Sequence, residues 1–164
     1  MKPTIDYTYS NSMRLLVITP MGAKFIIDTP NEACQLLPFE ARQFWMSGSG
    51  SSEIRFYLDP VNYHSLTVMC RPHTGYHVTH SSFCNEVHVP NSTYIAVIGT
   101  DFATKTSLWA GGDFFLFPTC AFLSIELFRD VVECFCDNGG KSIAVIWVQH
   151  PLDVSEDEIY GISY

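Results

Sequence analysis

Apolar and polar positions along the chain change period several times, and each change marks an element. "MRLLVITPMGAKFIID" reads as two strands around a turn. Leu15 to Ile18 is apolar and β-rich, Pro20 and Gly22 punctuate, and Phe25 to Ile27 resumes. "DTPNEACQLLPFEARQFWMSG" then shifts to helical spacing. Thr29 is placed to cap, Pro30 takes the first helical position, and the Glu32 carboxylate suits a helix N-terminus. Pro38 is expected to end or kink that helix, with a second short one from Phe39 to Trp45. "SGSGSS", Ser47 to Ser52, has the composition of a flexible loop.

Period two dominates the middle of the chain. "EIRFYLD" puts Ile54, Phe56 and Leu58 on one face, and "HSLTVMC" repeats the pattern with Leu66 and Val68. "GYHVTHS", "NEVHVP", "STYIAVIG" and "GGDFFLFP" are further short strands, separated by Gly, Pro and Asn. Their spacing fits an antiparallel meander. Helical spacing returns in "SIELFRDVVECFCDNGGKSIAVIWVQH". Ser124 caps, Glu126 complements the helix dipole, and Phe128, Val131, Val132 and Phe135 form one apolar stripe. Arg129, Asp130, Glu133 and Asp137 lie mostly on the other faces. Asn138-Gly139-Gly140 predicts a left-handed C-cap. "SIAVIWV" is nearly all apolar, which predicts a central strand covered on both sides. The pattern gives an α+β fold: a mainly antiparallel β-sheet of six to eight strands, with two or three helices packed on it.

The 164 residues suit a single domain over 1–164, with an acidic tail at 151–164. The chain is 47% hydrophobic and 16% charged, a globular composition. Net charge is −8, from 17 Asp and Glu against 9 Lys and Arg. That disfavours nucleic acid as a partner, because binding phosphates needs clustered cations. It suits a basic partner, or plain solubility. The start of the chain lacks a secretory pattern and no run is long enough to span a bilayer, so no membrane partner and a cytoplasmic location are expected. The six cysteines then read as reduced thiols. Cys134 and Cys136 diverge by about 200° on a helix and make a poor metal or redox pair.

Candidate chemistry is sparse. "CRPHTGYHVTHSSFCNEVH" gathers Cys70, His73, His77, His80, Cys84 and His88, all zinc-type ligands. It contains no C-x2-C pair and no H-E-x-x-H, and Pro72 and Gly75 break any helix that would align them. On a strand, Tyr76, Val78 and His80 share one face while His77 takes the other. The alternative reading it leaves is a zinc-binding module or metal-dependent enzyme. A small-ligand-binding α+β domain is a third. No Cys is flanked as a nucleophile, no G-x-S-x-G occurs, and neither "AGGDFF" nor "DNGGK" matches a phosphate loop. No catalytic residue and no cofactor are therefore assigned. The tail "HPLDVSEDEIYGISY" is strongly polarised. Asp153, Glu156, Asp157 and Glu158, with Tyr160 among them, could meet Lys and Arg on a partner. Glu53 and Asp59, flanking the strand with Tyr57, are further partner-binding candidates.

"LWAGGDFFLFPTCAFLSIELFRDVVECFCDNGGKSIAVIWVQ" resembles the end of bacterial immunity proteins from polymorphic-toxin and contact-dependent growth inhibition systems. One such family shows a strand, a proline-bearing turn, a helix, a Gly turn and a strand ending in Trp. Here these would be Phe114 to Phe117, Pro118, Ser124 to Cys136, Gly139 and Trp147. "DTPNEACQLL" resembles that family's first helix. The resemblance implies a non-enzymatic protein whose partner is the C-terminal domain of a cognate protein toxin, of nuclease or deaminase type and often basic. It would act by occluding that domain's active site. The acidity then has a use in electrostatic steering. Neither argument chooses between monomer and dimer.

Overall fold

The computed structural model describes residues 15–84 and 90–150. The chain enters through β1 (Leu15–Ile18) and β2 (Lys24–Ile26), then α1 (Pro30–Leu36) and α2 (Arg42–Met46). A meander follows: β3 (Ser52–Tyr57), β4 (Tyr63–Arg71), β5 (Gly75–Phe83) and β6 (Ser92–Val97). A hairpin of β7 (Lys105–Ala110) and β8 (Asp113–Pro118) leads to α3 (Ile125–Asn138) and β9 (Ile146–His150). Among the described residues the main sheet has seven strands in the order β2-β1-β3-β4-β5-β6-β9, and β7–β8 form a separate two-stranded sheet. Every pairing in both is antiparallel. This is the expected α+β fold, mostly sheet. None of the described helices is long and apolar enough to cross a membrane.

The two faces of the main sheet are covered differently. On one, Ile54, Phe56, Leu66, Val68, Tyr76 and Val78 pack against Ala33 and Leu37 of the α1 region and Phe128, Val131, Val132 and Phe135 of α3. Each of those large apolar side chains contributes about 1.5–3 kcal/mol on burial. Tyr76 stacks on Phe128 at 3.8 Å between ring centres, and its hydroxyl donates to the Leu37 carbonyl at 2.7 Å. On the other face the β7–β8 hairpin sits over one end only, closing on Met69, Ile95 and Val97.

Local signals act as expected at both long helices. The Thr29 hydroxyl accepts from the Glu32 amide, while the Glu32 carboxylate accepts from the Thr29 hydroxyl and the Asp28 amide. That reciprocal box fixes the α1 start. Ser124 accepts from the Leu127 amide, and α3 stops at Gly139 with φ 71°. The predicted stripe of Phe128, Val131, Val132 and Phe135 is buried.

Four expectations change. "SIAVIWV" is not a central strand: β9 starts only at Ile146 and, among the described residues, pairs with β6 alone, as an edge. Ile143 and Ala144 lie exposed in the turn that carries the chain from the helix layer to the sheet. Ser142 organises this turn, accepting from the Ala144 amide on its hydroxyl and from Trp147 Nε1 on its carbonyl. Leu58 does not share the Ile54 face, because β3 ends at Tyr57 and Leu58 is 57% exposed. "SGSGSS" is a packed junction and not a free linker: a Cβ on Gly50 would lie 2.1 Å from the Gly111 nitrogen. β7 is a strand where none was expected. Most of "NEVHVP", residues 85–89, lies outside the described residues.

Candidate functional site

The cross-strand register decides which residues meet on the part of the second sheet face that no other described element covers. From the hairpin outward, one row holds Glu53, Thr67, Thr79 and Ile95. The next holds Arg55, Ser65, Ser81 and Thr93, and the last Tyr57, Tyr63 and Phe83. Alternation brings Glu53, Arg55 and Tyr57 to this face together.

These residues form a connected surface. Arg55 clamps Glu53 in a bidentate pair, Nε to Oε1 and Nη2 to Oε2, each 2.8 Å. Ser65 donates a third hydrogen bond to Glu53 Oε1 at 2.8 Å. The pair is part-exposed, 28% for the arginine side chain and 22% for the glutamate. The Arg55 guanidinium lies 4.8 Å over the Tyr63 ring. Tyr63 sits 5.4 Å from Tyr57 and stacks on Phe83 at 4.7 Å, with 13° between planes. Burial works against the charge of Arg55, but hydrogen bonds to Glu53 and Tyr57 outweigh it and hold the guanidinium protonated more firmly than usual. Burial likewise pushes the Tyr63 hydroxyl up, with Glu53 and Tyr57 adding to it and Arg55 opposing. The result is a continuous aromatic row beside a hydrogen-bonded charge pair.

A second feature lies on the helix layer. Glu126, Asp130, Glu133 and Asp137 are all exposed, at spacings of four, three and four. At 100° per residue they fall on one side of α3, opposite its buried stripe. Arg129 is the only cation within α3. Like charges three and four residues apart repel, so this acidic ridge does not help the isolated helix. The Glu126 carboxyl is held below the usual range by its own backbone amide and the Ser124 hydroxyl.

The structure scatters the His/Cys set. Cys70 faces the helix layer and its thiol donates to the Phe39 carbonyl at 3.6 Å. His80 is on that face too, with Nε2 2.9 Å from the Gly139 carbonyl oxygen. His77 takes the opposite face and stacks on Phe117 at 3.9 Å. That split is the one strand alternation predicts. His73 sits in the β4–β5 turn, Cys84 is exposed past the end of β5, and His88 lies outside the described residues. Among the described residues no three His, Cys, Asp or Glu side chains come together to hold a metal ion.

Of the partner-binding candidates, Glu53 and Tyr57 belong to the aromatic surface. Asp59 does not: its carboxylate accepts from the Val61 and Asn62 amides at 2.9 Å and from Asn62 Nδ2 at 2.6 Å. The Asn62 side chain first, then these amides, keeps it more acidic than usual, and its role is to close the β3–β4 turn. Asp153, Glu156, Asp157, Glu158 and Tyr160 lie outside the described residues. Sequence reasoning missed Arg55, Tyr63, Ser65 and Phe83. The signal for Arg55 was its place between Glu53 and Tyr57 in the alternation; the other three need the strand pairing. It also passed over the acidic ridge, whose four-three-four spacing was readable. Comparison of the chain with protein-family models, curated proteins and solved structures gave no match.

Proposed function

We propose that this chain is an immunity-type protein: a non-enzymatic, cytoplasmic binder that neutralises a cognate toxin domain by covering its active site. The observation that carries the reading is the row Tyr57–Tyr63–Phe83, set beside the Arg55–Glu53 clamp on a part of the sheet face that no other described element covers. Interface centres are enriched in aromatic residues and arginine, and rigid aromatic anchors supply contact area at low entropic cost. The net charge of −8 and the α3 ridge favour a basic partner, which they would steer by long-range attraction. Such a protein needs a stiff scaffold and a surface, and its chemistry belongs to the partner.

The test is recovery of the partner from the native host with tagged protein, at low and at high salt. A large secreted protein, or its C-terminal fragment, is the expected catch. The Tyr57→Ala/Tyr63→Ala double variant should bind that fragment at least about tenfold more weakly. Failure to bind the toxin fragment encoded beside it, or undiminished binding by the variant, would sink the reading.

A further inference from the structure

Away from the sheet face, a cleft of about 570 Å³ opens where α2, the β4–β5 turn and β7 meet. Its size falls in the range of small-molecule pockets. Three basic side chains line it, from different elements: Arg42 on α2, Arg71 at the end of β4 and His73 in the turn. Among the described residues no carboxylate lines it. The chain has only 9 Lys and Arg against 17 acids, so two guanidiniums facing one cleft is a local reversal of its charge. Arg55 makes an ion pair, but neither Arg42 nor Arg71 makes one, or a side-chain hydrogen bond, among the described residues. The nearest acid to His73 is Glu40, 4.0 Å from Nδ1 with both side chains largely exposed.

Apart from Ser107, the rest of the lining is apolar. Buried Trp45 and Leu108 lie within the cleft, and Trp109 stands beside them at 52% exposure, braced edge-on by Phe114 at 5.0 Å. The Gly111 amide donates to the Trp45 carbonyl at 3.2 Å and ties α2 to the hairpin. The turn is closed by the Thr74 amide on the Arg71 carbonyl at 3.0 Å, with Pro72 second and His73 third at φ 60°. The third position of such a turn ordinarily takes glycine. Here it carries an imidazole.

From this we infer that the cleft binds a small phosphate monoester with an aromatic body. Arg42, Arg71 and His73 receive the phosphate, and Trp109 with the apolar lining receives the ring. One carboxylate would match only half the charge of the two guanidiniums, whereas a phosphate brings a charge of about −1.5 to −2 and three acceptor oxygens. Guanidinium groups suit it because their paired donors match its oxygens. The site is independent of the aromatic sheet face.

Full-length protein titrated with phenyl phosphate, inorganic phosphate and benzoate, read by tryptophan fluorescence and calorimetry, tests this. Phenyl phosphate should bind saturably, and at least about tenfold more tightly than benzoate or inorganic phosphate. Arg42→Gln/Arg71→Gln should lose at least about a hundredfold, about tenfold per guanidinium, while Arg129→Gln retains full affinity. Circular dichroism checks that each variant is folded. Absence of saturable phenyl phosphate binding, or equal binding by the double variant, overturns the site. Equal affinity for inorganic phosphate overturns the aromatic part of the assignment.

Discussion

Replacing Gly139 by alanine probes how tightly α3 is seated on the sheet. Gly139 has φ 71°, and a Cβ there would lie 2.9 Å from Phe56 Cδ1 and from His64 Cδ2. Two penalties add. The left-handed conformation costs an alanine about 1–2 kcal/mol. The new methyl must also displace two rings that have little freedom. Phe56 packs edge-on against Phe135 at 6.3 Å, and His64 is held by Ser82 at 2.9 Å. Overpacking of this kind costs about 1–3 kcal/mol. The expected loss is therefore about 2–5 kcal/mol, or a fall in Tm of at least about 4 °C for a chain of this size. Gly112 provides the control. Its φ is 91°, but nothing lies within 4 Å of its Cβ position, so Gly112→Ala should lose only the backbone part. Urea unfolding of the two variants separates the terms. Equal losses would refute the claim that the end of α3 is wedged against Phe56 and His64.

Three further outcomes follow from buried groups. Burial holds the imidazoles of His64 and His80 below their ordinary 6.5, partly offset at His80 by the Gly139 carbonyl. The unfolded chain thus takes up protons first, so stability should be level above about pH 6.5 and decline below it, down through the folded-state pKa values. His80→Gln should flatten part of that slope in urea midpoints, and an unchanged slope would contradict the assignment. Tyr76→Phe strips the Leu37 carbonyl of its buried donor and should cost about 1–3 kcal/mol in the same assay; an unaltered midpoint would show that the bond adds nothing. Burial pushes the Cys70 and Cys136 thiols up to about 12, while Cys84 is exposed. Alkylation at pH 8, mapped by mass spectrometry, should mark Cys84 in the native protein and reach Cys70 and Cys136 only after denaturation. Native labelling of Cys70 would count against its burial.

Local signals that agree with one another were legible. At α3 the Ser124 cap, the stripe of Phe128 to Phe135 and the Gly139 stop all point to the same helix. β1 and β3 through β5 were readable because strand alternation needs no knowledge of the partner. The position of β9 was not, because an apolar run looks the same at the centre of a sheet and at its edge. Ser47 to Ser52 misled for a similar reason. Small residues suit a free linker, but they also let two backbones touch, as at Gly50 and Gly111. The candidate surface was half visible. Glu53 and Tyr57 stood out in sequence, but Tyr63 and Phe83 join them only through the pairing of β3, β4 and β5. Asp59 looked free because sequence does not show that its carboxylate closes a turn.

The strand order also sets a hazard during synthesis. Each strand from β3 to β6 pairs with the one before it, so this part of the sheet can assemble as the chain emerges. β9, which caps the outer edge of β6, arrives only after residues 98–145. Until then Ile95 and Val97 border an open row of backbone donors and acceptors, a template for any passing strand. A nascent chain arrested before Ile146 should therefore recruit chaperones or precipitate more readily than the full-length chain.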